Sequence, residues 1–290
     1  MGGKALLLSI VGLSALIIGV VFYAVRIEPN RIEIERVDVP IAHLPPALEG
    51  LTIVQLSDIH LGPWVGQGNV RRAVQLANSL HPDLVVLTGD FVYRSADYAV
   101  PCAQELSRLQ SRYGIYAVLG NHDLWEGADE VAENLRRVGI EVLRDGRVAI
   151  GVKGARLWLL GVDDPGYGFT KGWRRDELES VWEGGLPWLR RTLRALPPDE
   201  VKVLLLHNPD FARVLPKGVD LVLSGHSHGG QVRLPFLGPL FTGVRRENAS
   251  GLRREGNAWL YVNRGIGVIF PPVRFLCRPE ITLLRLMPSG

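Results

Sequence analysis

The sequence predicts an α/β protein, a four-layer α/β/β/α sandwich of two mixed sheets flanked by helices, preceded by one N-terminal transmembrane helix. Three observations carry this. Short apolar, β-branched runs alternate with segments of helical periodicity through the first half, which requires sheets covered on both faces. Beyond residue 140 the texture changes to turn signals between strand-like runs, which points to a second sheet. The uncharged stretch ALLLSIVGLSALIIGVVFYAV, Ala5 to Val25, spans roughly 30 Å as a helix, about one hydrocarbon core.

Taken in order, residues 1–26 are expected to be a membrane anchor and 27–50 a linker with a first strand, IEIERVDV. The domain proper is expected over 51–290. LTIVQLS (51–57) is a strand, NVRRAVQLANSL (69–80) a helix, DLVVLTG (83–89) a strand. YAVPCAQELSRLQ (98–110) reads as a helix with Pro101 in its first turn. GIYAVLG (114–120) is a strand, and ADEVAENLRRVG (128–139) a helix closed by Gly139. In IEVLRDGRVAI, Asp145-Gly146 stands between apolar runs as a hairpin signal, and ARLWLLGV (155–162) continues the β character. After a Gly- and Trp-rich patch come a helix at 186–196 and strands at 201–206 and 219–224. QVRLP, AWLYVNRG and EITLLRL look like antiparallel strands.

Composition narrows the classes. The 290 residues are 47% hydrophobic and 22% charged, so a sizeable core forms and disorder is not expected. Cys102 and Cys277 are the only cysteines, which excludes a disulfide framework. The net charge of +3 is spread along the chain, and no dense basic patch or aromatic-basic ladder marks a nucleic-acid binder. The apolar N-terminus is longer than a signal-peptide core, lacks a small-residue cleavage site and has no twin arginine ahead of it. It is therefore read as an uncleaved anchor. Arg26, Arg31 and Arg36 follow it and Lys4 precedes it. This bias puts the large C-terminal part in the cytoplasm, with the opposite side as the alternative.

Ligands gather beyond the carboxyl ends of strands in open α/β sheets. Five apolar runs here end in Asp, Asn or His: Asp58 and His60, Asp90, Asn121-His122-Asp123, His207, and His226 and His228. Of the seven histidines, five stand at these ends, whereas His43 and His81 lie in proline-rich loops and are assigned no role. Singly, each group has an ordinary reading as a turn, a capped loop or a satisfied buried histidine. As a set they read as a metal site. Imidazole, carboxylate and amide ligands without a thiolate suit divalent Mn, Fe, Zn or Co and disfavour a structural zinc finger. Seven candidates are too many for one ion and fit two ions sharing a carboxylate, the arrangement that clamps attacking and leaving oxygens in phosphoryl transfer. The seven tryptophans are read as core or rim packing.

The five blocks, Asp58-x-His60, Gly89-Asp90, Gly120-Asn121-His122-Asp123, His207 and Gly225-His226-x-His228, occur in this order over 51–230. As a set they resemble the calcineurin-like metallophosphoesterases. HGGQ (228–231), NRGIG (263–267) and RFLCRPEI (274–281) resemble the YkuE/YaeI-like branch, whose members often carry an N-terminal membrane or export segment. That branch includes an LpxG-like group cleaving the pyrophosphate of UDP-2,3-diacylglucosamine in lipid A synthesis. The resemblance implies two divalent ions (Mn, Zn or Fe), a first on Asp58, His60 and His228, a second on Asn121, His207 and His226, with Asp90 bridging. It implies His122 as the catalytic group facing the phosphoryl or leaving oxygen, with Asp123 orienting it. One departure stands out: Tyr93, followed by Arg94, replaces the acid or arginine of many relatives.

The expected function is a metal-dependent phosphodiesterase or pyrophosphatase at a membrane surface, its substrate a phosphoester, lipid-linked in the sharpest form of the reading. VRLPFLGPLFTGV (232–244) and VIFPPVRFL (268–276) either line an acyl groove or fill the core as hairpin strands. A general nucleotide phosphohydrolase or nuclease and a non-enzymatic, metal-stabilised membrane module are the alternatives.

Overall fold

The computed structural model describes residues 2–182 and 184–290. Met1, the first residue of the expected anchor, and Glu183 lie outside the described residues. Helix α1 (Gly2–Phe22) runs on through a π turn, Tyr23–Ile27, and a 3-10 turn, Glu28–Asn30. Within it Leu7–Asn30 is long and apolar enough to cross a membrane, ~36 Å at 1.5 Å per residue. The helical run thus continues past the Val25 limit expected from hydropathy. Its apolar side chains from Leu7 to Phe22 face outward rather than into the protein, and Ala24 is the first to be buried.

The segment 27–50 is built into the body more firmly than a linker. The buried Glu28 carboxylate accepts the Cys277 N–H, and the Ala24 carbonyl accepts the Arg274 N–H at 2.9 Å. Strand β1 (Glu33–Ile41) pairs in parallel with the last strand of the chain, and Leu48 is fully buried.

The remaining elements are β2 (Thr52–Leu56), α2 (Gln67–Asn78), β3 (Leu84–Thr88), α3 (Ala99–Leu106), β4 (Ile115–Val118), α4 (Asn121–Arg137), β5 (Glu141–Val142), β6 (Gly146–Val152) and β7 (Ala155–Gly161). There follow α5 (Arg175–Val181), α6 (Gly185–Ala195), β8 (Val201–Leu205), β9 (Leu221–Ser224), β10 (Arg233–Leu234), β11 (Gly238–Pro239), β12 (Gly251–Glu255), β13 (Ala258–Val262) and β14 (Glu280–Pro288). One sheet has the order β1-β14-β2-β3-β4-β5 and the other β12-β13-β9-β8-β7-β6. Both are mixed: β14 runs antiparallel to β2, and β6 and β12 run antiparallel to β7 and β13.

Period-two alternation sorts the side chains into layers. In β2 and β3, Ile53, Leu84 and Val86 face the second sheet and meet Leu157, Val203 and Leu221 in a shared core. Their neighbours Val54, Leu56, Val85 and Leu87 point outward under α2, α3 and α4. On the far side Leu160, Leu204 and Val222 pack under Leu178 and Trp182 of the α5 region and Leu189 of α6. The result is the four-layer sandwich expected from the sequence.

Four local expectations are corrected. Asp145-Gly146 does not close a hairpin: β5 ends in the first sheet, β6 starts in the second, and Asp145 (φ 46°) turns the chain between them. The hairpin is β6–β7, and its two-residue loop is Lys153-Gly154, both at positive φ (49° and 89°), the twist a tight hairpin needs. The Gly- and Trp-rich patch contains a helix, α5. Helix α4 starts at Asn121 rather than 128. Its first turn is held by the Asp123 carboxylate on the Gly120 N–H (2.9 Å), and Gly127 (φ 151°) breaks the periodicity before the regular part. Finally, β13 lies parallel to β9, and β14 returns to the first sheet.

Candidate metal centre

Strands β2, β3 and β4 are mutually parallel, as are β7, β8 and β9. Their carboxyl ends therefore open at one edge, where the two sheets meet. All seven expected ligands and His122 converge there. Asp58, His60, Asp90, Asn121, His207 and His228 are buried, while His226 and His122 keep partial exposure.

The backbone at this edge is strained toward the site. Asp58, His60, Asp90, His226 and His228 all have φ between 49° and 68°. That region costs a non-glycine residue roughly 1–3 kcal/mol and persists only where the surroundings enforce it. The enforcement is visible. The His226 N–H donates to both Asp58 oxygens (3.0 and 2.9 Å), tying the second sheet to the first. The Asp58 and His60 N–H groups donate to the Gly89 and Asp90 carbonyls, each at 3.0 Å. Glycine is required at position 225, where a Cβ would stand 1.9 Å from Ser57 Oγ and 2.4 Å from Asp58 Oδ2.

Two triads form. In the first, His228 Nε2 lies 3.0 Å from His60 Nε2 and 3.3 Å from Asp58 Oδ1. In the second, His226 Nδ1 lies 3.2 Å from His207 Nε2. Asp90 joins them: its Oδ2 is 3.4 Å from His60 Nε2 and 3.3 Å from His207 Nε2. Ligand atoms 2.0–2.2 Å from a common ion at tetrahedral or octahedral angles stand roughly 3–3.5 Å apart, so the observed spacings fit metal spheres. The Asn121 side-chain oxygen is buried without a hydrogen-bond partner, as expected of a group reserved for a cation. Tautomers follow from the neighbours. A carbonyl only accepts, so His207 Nδ1 carries the proton donated to Thr88 O (2.6 Å) and His226 Nε2 the one donated to Gly168 O (3.0 Å). The nitrogens facing the site are therefore His226 Nδ1, which is bare, and His207 Nε2, whose proton faces Asp90 Oδ2 at 3.3 Å until a cation displaces it.

Electrostatics agree. Burial holds His60 and His226 down at about 3 and His228 well below its ordinary value, so these imidazoles are neutral. Burial, reinforced by the Asp90 charge, pushes Asp58 up to about 6. Burial also opposes ionisation of Asp90, but the facing His207, His60 and His122 outweigh it and hold the carboxyl well below the usual range. For His207 burial is overcome by the Asp90 charge, which raises it well above an ordinary histidine.

Among the described residues, the Asp123 carboxylate bonds backbone N–H groups rather than the His122 ring. Its Oδ2 accepts the N–H groups of Asp90 (2.8 Å) and Gly120 (2.9 Å), and its Oδ1 those of Phe91 (2.8 Å) and Val92 (3.2 Å). These bonds tie the 90–92 loop to the 120–123 loop. His122 is positioned otherwise. Its N–H donates to Asp90 Oδ1 (2.9 Å), and its ring is caged by Tyr93 (5.0 Å), His60 (4.9 Å) and Trp125 (4.8 Å between centroids). Tyr93, the departure noted in the sequence, thus presents an aromatic wall to His122. Trp125 belongs to the rim, as expected of some tryptophans. Asp164 was missed: it is buried just beyond β7, its Oδ1 accepts the Gly166 N–H, and it shapes the loop whose Gly168 carbonyl fixes His226. The strand-end rule applied to ARLWLLGVDD would have found it.

A cavity of about 510 Å3 opens over the site, floored by Asp90, Asn121, His122 and His226 and walled by Phe169, Leu240, Phe241 and Phe270. These four wall residues are exposed at its mouth, so the stretches 232–244 and 268–276 do not simply fill the core.

This fold and this edge define the class, and residues 51–230 match the calcineurin-like phosphoesterase family; the chain belongs to it. Among its relatives, the uncharacterized metallophosphoesterase YkuE of Bacillus subtilis is 32% identical over 92% of this chain and 90% of its own length. The phosphodiesterase YaeI of Escherichia coli is 30% identical, covering 81% and 82%. A transmembrane protein with metallophosphoesterase domain from Danio rerio is 33% identical over 85% of this chain, which spans 55% of that protein. The chain is accordingly a metal-dependent phosphoester hydrolase of this family. The clustered His and Asp groups imply a dimetal site, and the N-terminal apolar helix points to a membrane anchor.

Proposed function

We propose that the chain, anchored by residues 1–26, hydrolyses phosphodiester or pyrophosphate bonds of a lipid-linked substrate at the membrane surface, with the catalytic body 51–290 on the cytoplasmic side. The observation that carries the dimetal chemistry is Asp90 Oδ2, set between His60 and His207 at 3.4 and 3.3 Å. Asp58, His60 and His228 would hold one ion, and Asn121, His207 and His226 the other, with Asp90 shared. Mn, Zn and Fe all suit this donor set. When bound, two such ions acidify water and screen phosphoryl charge. Asp90 also accepts the His122 N–H, so the shared carboxylate fixes the start of α4 relative to the ligands. His122, on the cavity floor, supplies a ring nitrogen that can donate a proton to the leaving oxygen. Phe169, Leu240, Phe241 and Phe270 shield the mouth from water and offer an acyl chain an apolar passage.

Cation uptake must displace protons. At neutral pH one leaves His207, whose imidazolium Asp90 stabilises, and below about 6 a second leaves Asp58. The neutral His60, His226 and His228 contribute none. Mn affinity is therefore expected to fall as pH drops, and more steeply below about 6. Calorimetry in buffers of different ionisation enthalpy should detect protons released on Mn binding, more of them near pH 5 than at pH 7.5. Binding without proton release contradicts the ligand set.

The substrate class is tested on the full chain with Mn, comparing UDP-2,3-diacylglucosamine, its deacylated counterpart, a plain diester and a monoester. Two buried methylenes already contribute more than the ~1.4 kcal/mol of a tenfold effect. The acylated diphosphate should exceed the deacylated one at least ~10-fold in kcat/KM. Equal values would remove the lipid-linked substrate and leave a general phosphodiesterase.

A further inference from the structure

The exposed apolar side chains of the catalytic body are not scattered. Phe236 and Leu237 form the tip between β10 and β11, Phe241 follows that hairpin, and Phe270 and Leu276 flank the segment beside it; all five are exposed. Water-facing loops seldom carry such a group. Its position relative to the membrane span is fixed by backbone hydrogen bonds. The Arg274 N–H donates to Ala24 O of the anchor (2.9 Å), the Phe275 N–H to Gln231 O (2.9 Å), and the Arg233 N–H to Phe275 O (2.8 Å). The end of the anchor, the segment 270–276 and the start of the hairpin thus lie side by side, joined in turn by these three bonds.

A second connection runs along the other side of Phe270. Trp64 lines a cleft with Val25 and Arg26 of the anchor, and its ring lies 5.9 Å from that of Phe270. The exposed Arg94 guanidinium stands 4.9 Å over the Trp64 ring. Exposed Arg246 approaches the hairpin, 3.3 Å from where a Gly238 Cβ would be. Apolar tips with an interfacial tryptophan and flanking arginines are the composition of a surface that enters acyl chains and meets anionic headgroups.

We propose that the β10–β11 hairpin and the Phe270 turn dock into the leaflet from which α1 emerges, so that the catalytic cavity opens onto the lipid surface. The occupant is the bilayer because the anchor already brings it to this face. A second copy of the chain would need roughly 800 Å² of complementary surface per partner, whereas these side chains stand on narrow tips. The proposal rests on α1 being an anchor and not on the phosphoesterase chemistry.

The test uses the full chain in vesicles of phosphatidylcholine and phosphatidylglycerol. Cys102 and Cys277 are buried, so a nitroxide is placed at Phe236→Cys or, as a control, at Lys153→Cys. Lys153 is exposed at the opposite end of β7 from the site. The label at 236 should collide more with oxygen than with a water-soluble nickel complex, and the label at 153 the reverse. Equal aqueous exposure of the two overturns the proposal, and so does spin–spin broadening at 236, which reports a second copy. Independently, a Phe236→Asp, Leu237→Asp chain should show KM raised about 10-fold for substrate in vesicles and unchanged hydrolysis of soluble bis-p-nitrophenyl phosphate; unchanged KM contradicts docking. A lipid-exposed label on a chain that hydrolyses nothing would support docking while removing the catalytic reading.

Discussion

An Asp90→Asn chain is expected to lose more than about 100-fold in kcat/KM toward bis-p-nitrophenyl phosphate. The amide is nearly isosteric and can still accept the His122 N–H that Asp90 Oδ1 accepts at 2.9 Å, so the first turn of α4 stays in place. What changes is the charge between the two triads and the second oxygen, which now becomes an NH2 group facing His60 or His207. Changes one layer outside a metal's ligands typically lower affinity or activity 10- to 100-fold. Removing the single group placed within 3.4 Å of both triads must exceed that range. The circular-dichroism spectrum should remain that of the parent. An Asp90→Asn chain with full hydrolysis contradicts the two-ion reading.

His122→Asn is expected to separate two roles by leaving group. A general acid contributes about 10²–10⁴ where the leaving oxygen is a poor one. p-Nitrophenolate leaves without protonation and should be affected far less. Hydrolysis of an alkyl or sugar phosphodiester should therefore drop by ~10² or more while the p-nitrophenyl ester loses less than ~10-fold. Equal losses on both would assign His122 to charge stabilisation instead. Tyr93→Leu removes part of the cage around His122 and leaves every ligand intact, so it should reproduce a weaker version of the same asymmetry.

The cluster of candidate ligands was legible in the sequence because parallel strands carry their end residues to one edge whatever happens between them. Asp58, Asp90, Asn121, His207 and His226 each follow an apolar run, and the strand assignments alone bring them together. What the sequence hid was decided by long-range contacts. Asp123 stands beside His122 in the chain, which invites a pairing. Its carboxylate instead faces four N–H groups on two loops, 31 to 33 residues apart for three of them. Asp145-Gly146 has the composition of a hairpin, but the strands on either side belong to different sheets. Lys153-Gly154 closes the real hairpin and carries a weaker local signal. The apolar stretches 232–244 and 268–276 read equally as core or surface. Exposure at Phe236, Phe241 and Phe270 is a property of the packed body, in which the sandwich core is already full without them.

The central claim is that Asp90 unites two metal sites into one hydrolytic centre. The most direct test measures bound metal per chain and diester hydrolysis on the same preparations of parent and Asp90→Asn protein, after chelation and reloading with Mn. The parent should bind two ions per chain and regain its chelator-sensitive activity. The variant should bind one or none and remain inactive. A variant that takes up two ions and hydrolyses the diester at the parental rate would contradict the claim.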